Sequence, residues 1–496
     1  MKREDSILFR PWKELKGLQN KKLRYFITRH LYPFSPYYRQ LFDRHKIKPG
    51  SIKSVGDLRR IPFTSKSTFL GLIQKDPARG DLELYLKPTD ELIKKFLPRT
   101  ELAKFLIASI FKGKSSLKKR LEEEYKPVFL TATAGTTHRP VSFLYTRYDI
   151  ENLYVYGKRL IEIFGIKGGN LAVNVFPYAP HLAFWQTVFA GVAAGEFILS
   201  TGGGKILGTE GNIQAILKIK PKFLIGVPNY VYHILKTARE ENLKMDFLNR
   251  IVLGAARVTL GFKQKLARLL NEMGASDVLV FGTYGFTEAR AAWGECPVPI
   301  GVSSGYHTYP DKEVFEIIDP ESGEVKREGE DGEIVYSNID SRGTCVLRYR
   351  TGDIVKGGIV YSPCPYCARR VPRLSSDISR TSNIKSFQFS KIKGTVVNLN
   401  DVGHILDEDA DIDEWQIEIT KRGDDPYDVD ELNLYVSLLK DIDKDKFAEA
   451  LNQRLLSHEE VSFNRINFVT RDEIKHRIEI ESSVKAKKIV DRRPEA

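Results

Sequence analysis

Cysteine is scarce, four in 496 residues. That is too few for a disulfide framework in a chain of this length and points to a reducing cytoplasm. Long apolar runs are missing too. The longest, Leu182 to Leu199, is interrupted by Gln186, Glu196 and several glycines. Hydrocarbon penalises such groups, so the run predicts a buried helix passing into a strand rather than a membrane span. The segment Met1 to Ser6 has neither the apolar core nor the small-residue cleavage site of a signal peptide. A net charge of +13 comes without a zinc finger, homeodomain or RRM-like module, which argues against a nucleic-acid partner and leaves a polyanionic small ligand or plain solvated surface. A Walker phosphate loop is also absent, because Thr201-Gly202-Gly203-Gly204-Lys205 lacks both the spacing and the following Ser or Thr.

The composition, 42% hydrophobic and 28% charged, is that of an ordinary globular chain. Residues 12 to 75 carry apolar positions at helical spacing, with Pro62 marking a turn and Thr64 or Ser65 placed to cap the next helix. From about 127 to 290, short apolar runs (Leu171 to Phe176, Phe223 to Val227, Val278 to Phe281) alternate with helical stretches, the pattern of a parallel sheet wrapped by helices. From 312 to 374, the runs Val314 to Ile318, Glu333 to Ser337, Val346 to Tyr349 and Gly358 to Tyr361 are parted by Gly, Pro and Asp turns and predict a mainly antiparallel β subdomain. Beyond Arg380, strands at Glu414 to Ile419, Leu432 to Leu439 and Arg465 to Val469 flank a helix at Lys444 to Leu455 and predict a small α+β domain.

Four stretches follow one another along the chain: Thr131-Ala132-Thr133-Ala134-Gly135-Thr136-Thr137-His138-Arg139-Pro140, Tyr284-Gly285-Phe286-Thr287-Glu288, Arg348-Tyr349-Arg350-Thr351-Gly352-Asp353, and the basic tail Val484 to Arg492. In this order they resemble the adenylate-forming ligases, and within them the phenylacetate-CoA ligase and coenzyme F390 synthetase branch. Leu18 to Leu23, Tyr37-Tyr38-Arg39, Ile61 to Lys66, Tyr145-Thr146 with Asp149, Gly254-Ala255-Ala256 and Gly329 to Val335 extend the likeness over most of the chain. The resemblance implies a large α/β N-terminal domain over 1–378, made of helix-wrapped, mainly parallel sheets plus the β subdomain, and a small mobile α+β C-terminal lid over 379–496. It also implies ATP-dependent activation of a carboxylic acid as acyl-AMP with release of pyrophosphate, then transfer to coenzyme A. A carrier protein, protein thiol or amine as acceptor stays open, as does a non-catalytic adenylate-binding or membrane-associated protein.

Adenylation joins two anions and expels a third, so its catalysis is mainly positioning and charge neutralisation. Hydroxyls and backbone amides of Thr133, Gly135, Thr136 and Thr137 suit the β- and γ-phosphates. His138 stands where the family has a second glycine, and it either closes over phosphate or stiffens the loop. Tyr284 is expected to stack on adenine beside Gly285, Thr287 to hydrogen-bond phosphate, and Glu288 to offer a hard oxygen to Mg²⁺. Gly254, Ala255 and Ala256 have no bulk, which lets a flat base approach, although a tightly packed strand end has the same composition. Asp353 is expected to accept from both ribose hydroxyls, and Arg380 resembles the arginine before the hinge, a ribose or phosphate contact. The hinge departs from the family, reading Arg380-Thr381-Ser382-Asn383. Lys485 takes the place of the lid lysine that bridges carboxylate and α-phosphate, with Lys487 and Lys488 as competing registers. The aromatic stretches around Tyr178, His181, Trp185 and Tyr230 suit an acyl pocket for an aryl or fatty acid, with His181 equally a satisfied core histidine.

Cys364-Pro365-Tyr366-Cys367, with Cys296 and His307 upstream, offers three thiolates and an imidazole for a closed structural Zn²⁺ site. A comparable set occurs in parts of the branch that the chain resembles. Cys345 precedes an apolar strand and reads as core. The segment 76–126 is longer than the family pattern, and within it 94–120 combines cations with an apolar face. Such a helix either packs on the large domain with its cations in water or touches an anionic membrane surface weakly.

Overall fold

A computed structural model describes residues 6–493 apart from 79, 97–98, 101–102, 104–106, 108–122, 134–139, 167, 381–383, 389–392, 425–427, 460 and 482–485. The N-terminal helices α1 (Trp12–Phe26), α2 (Pro36–Arg44), α3 (Lys66–Lys75) and α4 (Asp90–Phe96) come first. Ser65 starts α3 through a reciprocal pair with Thr68, as the cap reading expects. Most of the basic stretch 94–120 lies outside the described residues. Its beginning folds back onto the domain, with the Phe96 ring edge-on to Tyr32 at 5.6 Å and the Arg39 guanidinium 5.2 Å from its centre.

A hairpin of β1 (Pro127–Ala132) and β2 (Ser142–Thr146) leads into α5 (Arg147–Ile163). Thr146 and Asp149 cap that helix reciprocally. The buried Asp149 also accepts from Gly343 N at 2.7 Å and Ser341 Oγ at 2.6 Å and faces Arg290 at 3.2 Å, so a fully solvated charge is replaced by fixed donors. The start of α5 is thereby fastened to the β subdomain.

The central sheet is built from β3 (Leu171–Asn174), β4 (Phe197–Ser200), β5 (Phe223–Gly226), β6 (Arg250–Leu253), β7 (Leu279–Phe286) and β8 (Ala291–Gly294), in the spatial order β4-β3-β5-β6-β7-β8. Only β8 runs antiparallel to its neighbour. The crossovers are α6 (Leu182–Ala194), α7 (Gly204–Ile219), α8 (Pro228–Glu240) and α9 (Leu260–Glu272). The run Leu182 to Leu199 is indeed a helix passing into a strand, and Gly195, at φ 70°, ends α6 in the left-handed conformation that glycine adopts without strain. Strand alternation divides the sheet into two faces. Val173, Leu224, Ile251 and Val280 pack with α8 and α9, whereas Ala172, Phe223, Val252 and Phe281 pack with Leu160 of α5 and Phe164 just beyond its end. The chain reverses its direction of winding between β3 and β5, and the carboxyl ends of strands at such a reversal form a crevice where ligands bind.

Within the β subdomain, β9 (Tyr306–His307) belongs to a small sheet, while β10 (Glu313–Ile318), β11 (Gly332–Asn338) and β12 (Tyr349–Val355) form an antiparallel ladder. The small sheet is completed by β13 (Ile359–Val360) and β14 (Arg373–Leu374), and the ladder by β15 (Ile378–Arg380). The strand expected at Val346 to Tyr349 begins instead at Tyr349. Val346 and Leu347 are fully buried in a turn under the N-terminal helices, where Leu347 N donates to Tyr38 Oη at 2.7 Å.

The C-terminal domain holds a hairpin of β16 (Ile384–Gln388) and β17 (Lys393–Asn398), then α10 (Leu399–Glu408). Its sheet combines β18 (Ile412–Lys421), β19 (Asp430–Leu438), β20 (Arg465–Phe468) and β21 (Ile489–Asp491) in the order β20-β19-β18-β21, with helices α11 (Lys444–Glu459) and α12 (Arg471–Arg477). It docks on α8 and α9. Ile474 and Ile478 enter the core beneath the central sheet, Tyr232 Oη donates to Asp413 at 3.1 Å, and Lys265 Nζ donates to the Ile412 carbonyl at 2.8 Å. Among the described residues no helix is long and apolar enough to cross a membrane.

Candidate active site

A cavity of about 1360 Å³ opens at the reversal point of the sheet. Its rim is polar and carries Thr133, His181, Gly254, Ala255, Gly285, Thr287, Glu288, Thr351 and Arg380, together with Lys487 from the C-terminal domain. Gly254 is required by geometry, because a Cβ there would lie 2.4 Å from Thr283 Oγ1. Ala256 is exposed and does not reach the cavity. Gly135, Thr136 and Thr137 lie outside the described residues, as does Lys485. The neighbouring lysines are already paired, Lys487 with Glu479 at 2.5 Å and Lys488 with Glu414.

Two reciprocal bonds tie the distant motifs into one unit. Tyr284 Oη donates to Asp353 Oδ2 at 2.7 Å, and Tyr349 Oη donates to Glu288 Oε1 at 2.8 Å. Each motif thus contributes one tyrosine and one carboxylate. Burial, and then the adjacent carboxylate, push both phenol pKa values well above their ordinary range, so both stay protonated and remain donors. The other Asp353 oxygen faces Arg380 Nε at 2.8 Å, and Arg380 Nη1 donates to the Thr351 carbonyl at 2.8 Å. The β12–β15 pairing places Asp353 directly opposite Arg380. The Tyr284 ring is not available in the way the sequence reading expects. It packs with Trp293 at 5.7 Å and Tyr306 at 6.0 Å, away from the cavity, because strand alternation sends it to the side opposite Thr283 and Gly285. Its visible role is to hold Asp353. Tyr349, which sequence reasoning left without a role, holds Glu288.

Of the four residues assigned to the acyl pocket, Tyr178 and Trp185 are in ring contact at 6.0 Å, but the four do not line one cavity. His181 lines the large cavity and its Nδ1 lies 3.0 Å from the Ala132 carbonyl. Tyr178 and Tyr230 line a separate cleft of about 110 Å³ beneath the C-terminal domain, since α8 lies across the sheet from α5. Trp185 packs on Phe129 at 5.2 Å and on Phe184 at 5.4 Å. The large cavity is also walled by Leu160, Phe164, Ala172, Phe223, Ile225 and Val252. No motif marks these residues; only the assembled sheet puts them on one face.

A second cluster sits below β8 and β9. Cys296, His307, Cys364 and Cys367 bring their ligand atoms within 4.8 Å of one another. Cys296 Sγ and Cys364 Sγ are 3.8 Å apart, and Cys367 Sγ is 3.3 Å from His307 Nε2. Tetrahedral zinc, with bonds near 2.3 Å to sulfur and 2.0 Å to nitrogen, requires about 3.8 Å and about 3.5 Å for these separations. His307 Nδ1 lies 3.3 Å from the Gly294 carbonyl, the outer contact that orients a ligating imidazole. The donor set therefore fits zinc. Cys345 stands apart in the core, where burial pushes its thiol pKa up to about 12.

A profile of the family "AMP-binding enzyme" matches residues 73–342, more than half of the chain. The chain belongs to this family of adenylate-forming enzymes. It is similar to a phenylacetate-coenzyme A ligase of Thermus thermophilus, 23% identical over 472 residues covering 94% of this chain and 90% of the relative. It is also similar to that of Aromatoleum evansii, 25% identical over 364 residues covering 73% of this chain and 70% of the relative. Among solved structures, a 2-hydroxyisobutyryl-CoA ligase in its postadenylation state, 19% identical, shares the fold at a TM-score of 0.73 over 99% of this chain and 94% of its own. The same ligase in its thioesterification state scores 0.58, at 18% identity over 97% of this chain and 89% of its own.

Proposed function

We propose that this protein is an AMP-forming acid–thiol ligase acting on a small-molecule carboxylic acid, ATP and coenzyme A. One observation carries the reading: Tyr284–Asp353 and Tyr349–Glu288 lock two motifs, over sixty residues apart in the chain, onto the rim of one cavity with an apolar interior. A carboxylate oxygen of the acid attacks the α-phosphorus of ATP, and the bond to the pyrophosphate oxygen breaks. The thiol of coenzyme A then attacks the acyl carbon, loses its proton, and AMP departs.

Thr133 with Gly135, Thr136 and Thr137 would hold the leaving phosphates. Thr287 donates to the α-phosphate, and Asp353 and Arg380 hold the ribose. Gly254 and Ala255 let the base lie against their backbone. Lys485 neutralises charge in the adenylation transition state from the C-terminal side. Glu288 is the residue that would hold Mg²⁺, whose charge offsets that of the pyrophosphate. The cysteine–histidine cluster would hold Zn²⁺ to brace the β subdomain, away from the reacting atoms. The names of the relatives put an aryl acid first among candidate substrates, and the apolar interior accommodates fatty acids as well.

A panel of carboxylic acids assayed for pyrophosphate release, with and without coenzyme A, tests the proposal. Acid-dependent pyrophosphate release and thioester formation are expected. Pyrophosphate release without thioester would move the acceptor to a carrier protein or an amine, and no release with any acid would leave only an adenylate binder.

A further inference from the structure

The large cavity runs the whole length of the central sheet. Its sheet wall consists of successive cross-strand rows on one face, because residues two apart on a strand point the same way. Val227, Gly254 and Thr283 form the rim row, Ile225 and Val252 the middle row, and Ile198, Ala172 and Phe223 the far row at the amino ends of the strands. From Val227 at the rim to Phe223 in the far row is about 13 Å at the rise of a parallel strand. The opposite wall gives a similar depth, since Ala183 and Ala190 of α6 both line the cavity and lie about 10 Å apart at the helical rise.

Residual accessibility follows the same face. Ala172, Phe223 and Val252 are 6%, 5% and 6% exposed, whereas Val173, Leu224 and Ile251, their neighbours on the opposite face, are 0% exposed. The sheet is thus close-packed against α8 and α9 but leaves a space against α5 and α6, where a core of ordinary density would leave none. The Thr187 hydroxyl, on the helix wall, donates to the Ala183 carbonyl at 3.0 Å. Beyond the far row the lining turns polar at Asn170 and Glu196, where Asn170 N donates to Glu196 Oε2 at 3.1 Å.

We infer that, within the ligase reading on which this rests, the acid is an unbranched aliphatic one of about twelve carbons. An extended chain advances about 3.3–3.6 Å over three bonds, so about eleven or twelve bonds cover the depth from rim row to far row. The carboxylate sits at the rim beside Thr287, and the tail lies straight between α6 and the sheet. Phenylacetate, whose ring ends about five bonds from the carboxyl carbon, reaches the middle row and leaves the far row without a partner. Each further methylene of a straight chain leaves water for a hydrocarbon wall, until the tail meets Asn170 and Glu196 and more methylenes gain nothing.

The test measures kcat/KM for pyrophosphate release with even-numbered straight saturated acids from butanoate to hexadecanoate and with phenylacetate. The value is expected to rise about fourfold per methylene, carried by KM rather than kcat, and to level off near dodecanoate, well above phenylacetate. Ala172→Leu fills the far row and should bring the plateau down to about octanoate, by the spacing of the rows; Ile198→Phe in the same row should do so if the first variant folds poorly. A profile that is flat or falls from hexanoate to dodecanoate, or a phenylacetate value above that of every straight acid, overturns the inference and leaves the ligase reading intact. So does a plateau that neither substitution moves. If the straight acids and phenylacetate release no pyrophosphate while other acids do, the inference alone falls; if no acid does, both fall.

Discussion

Tyr349→Phe removes one oxygen and nothing else, which makes it a clean probe of how the two motifs cooperate. The ring stays where it is, packed edge-on to Phe69 at 6.2 Å. What disappears is a 2.8 Å bond from a protonated phenol to Glu288. A hydrogen bond to a charged group contributes about 1.5–3 kcal/mol, and replacement by water at the cavity rim recovers part of it, leaving a net loss of about 1–2 kcal/mol. If the bond orients Glu288 toward the metal in the transition state, that loss appears as an adenylation rate about 5–30 times slower, with ATP affinity little changed. Pyrophosphate release at saturating acid and ATP, measured across a Mg²⁺ titration, reads both. The variant should need more Mg²⁺ for half-maximal rate as well as turning over more slowly. An unchanged rate throughout the titration would refute the idea that Tyr349 positions Glu288, and a loss confined to ATP affinity would make the bond a binding contact instead.

Replacing Cys364 by Ala should reduce bound zinc from about one per chain, the stoichiometry of a four-ligand site, and lower the melting temperature, since metal binding in such sites is folding energy. Metal analysis with thermal melting checks this, and chelation without any change in melting contradicts it. Lys485→Ala should cost kcat for adenylation far more than ATP affinity, yet leave transfer from a supplied acyl-adenylate to coenzyme A working; equal loss of both half-reactions assigns the tail a folding role. Burial raises the Glu313 carboxyl pKa from 4.5 to about 8, against donation from Tyr309 N and Trp293 Nε1. A raised folded-state pKa means that stability is full below about pH 4.5 and declines up to about pH 8, so Glu313→Gln should flatten this decline in denaturant-unfolding curves and gain on the parent protein most at alkaline pH.

Much of this protein is legible in its sequence. The helix-to-strand passage at Leu182 to Leu199, the cap at Ser65, the sheet strands near Leu171, Phe223 and Leu279, and the C-terminal α+β unit are local matters. Their periodicity and capping chemistry act over a few residues, so the linear chain carries them. The cysteine–histidine set was equally readable, because few residue types ligate zinc and the chain has few of them. Three things were decided only by tertiary structure. Tyr284 turned from an expected stacking platform into the anchor of Asp353, since strand alternation fixes which way a ring points only once its sheet neighbours are known. Tyr349 gained a role because its partner lies sixty-one residues away in sequence. The large cavity takes Phe176, His181 and Phe184 from the aromatic stretches, but its lining also includes Leu160, Phe223 and Val252. These are ordinary core residue types that no motif distinguishes, and burial depends on which face of a sheet the crossing helices leave uncovered, a property of the whole domain rather than of any segment.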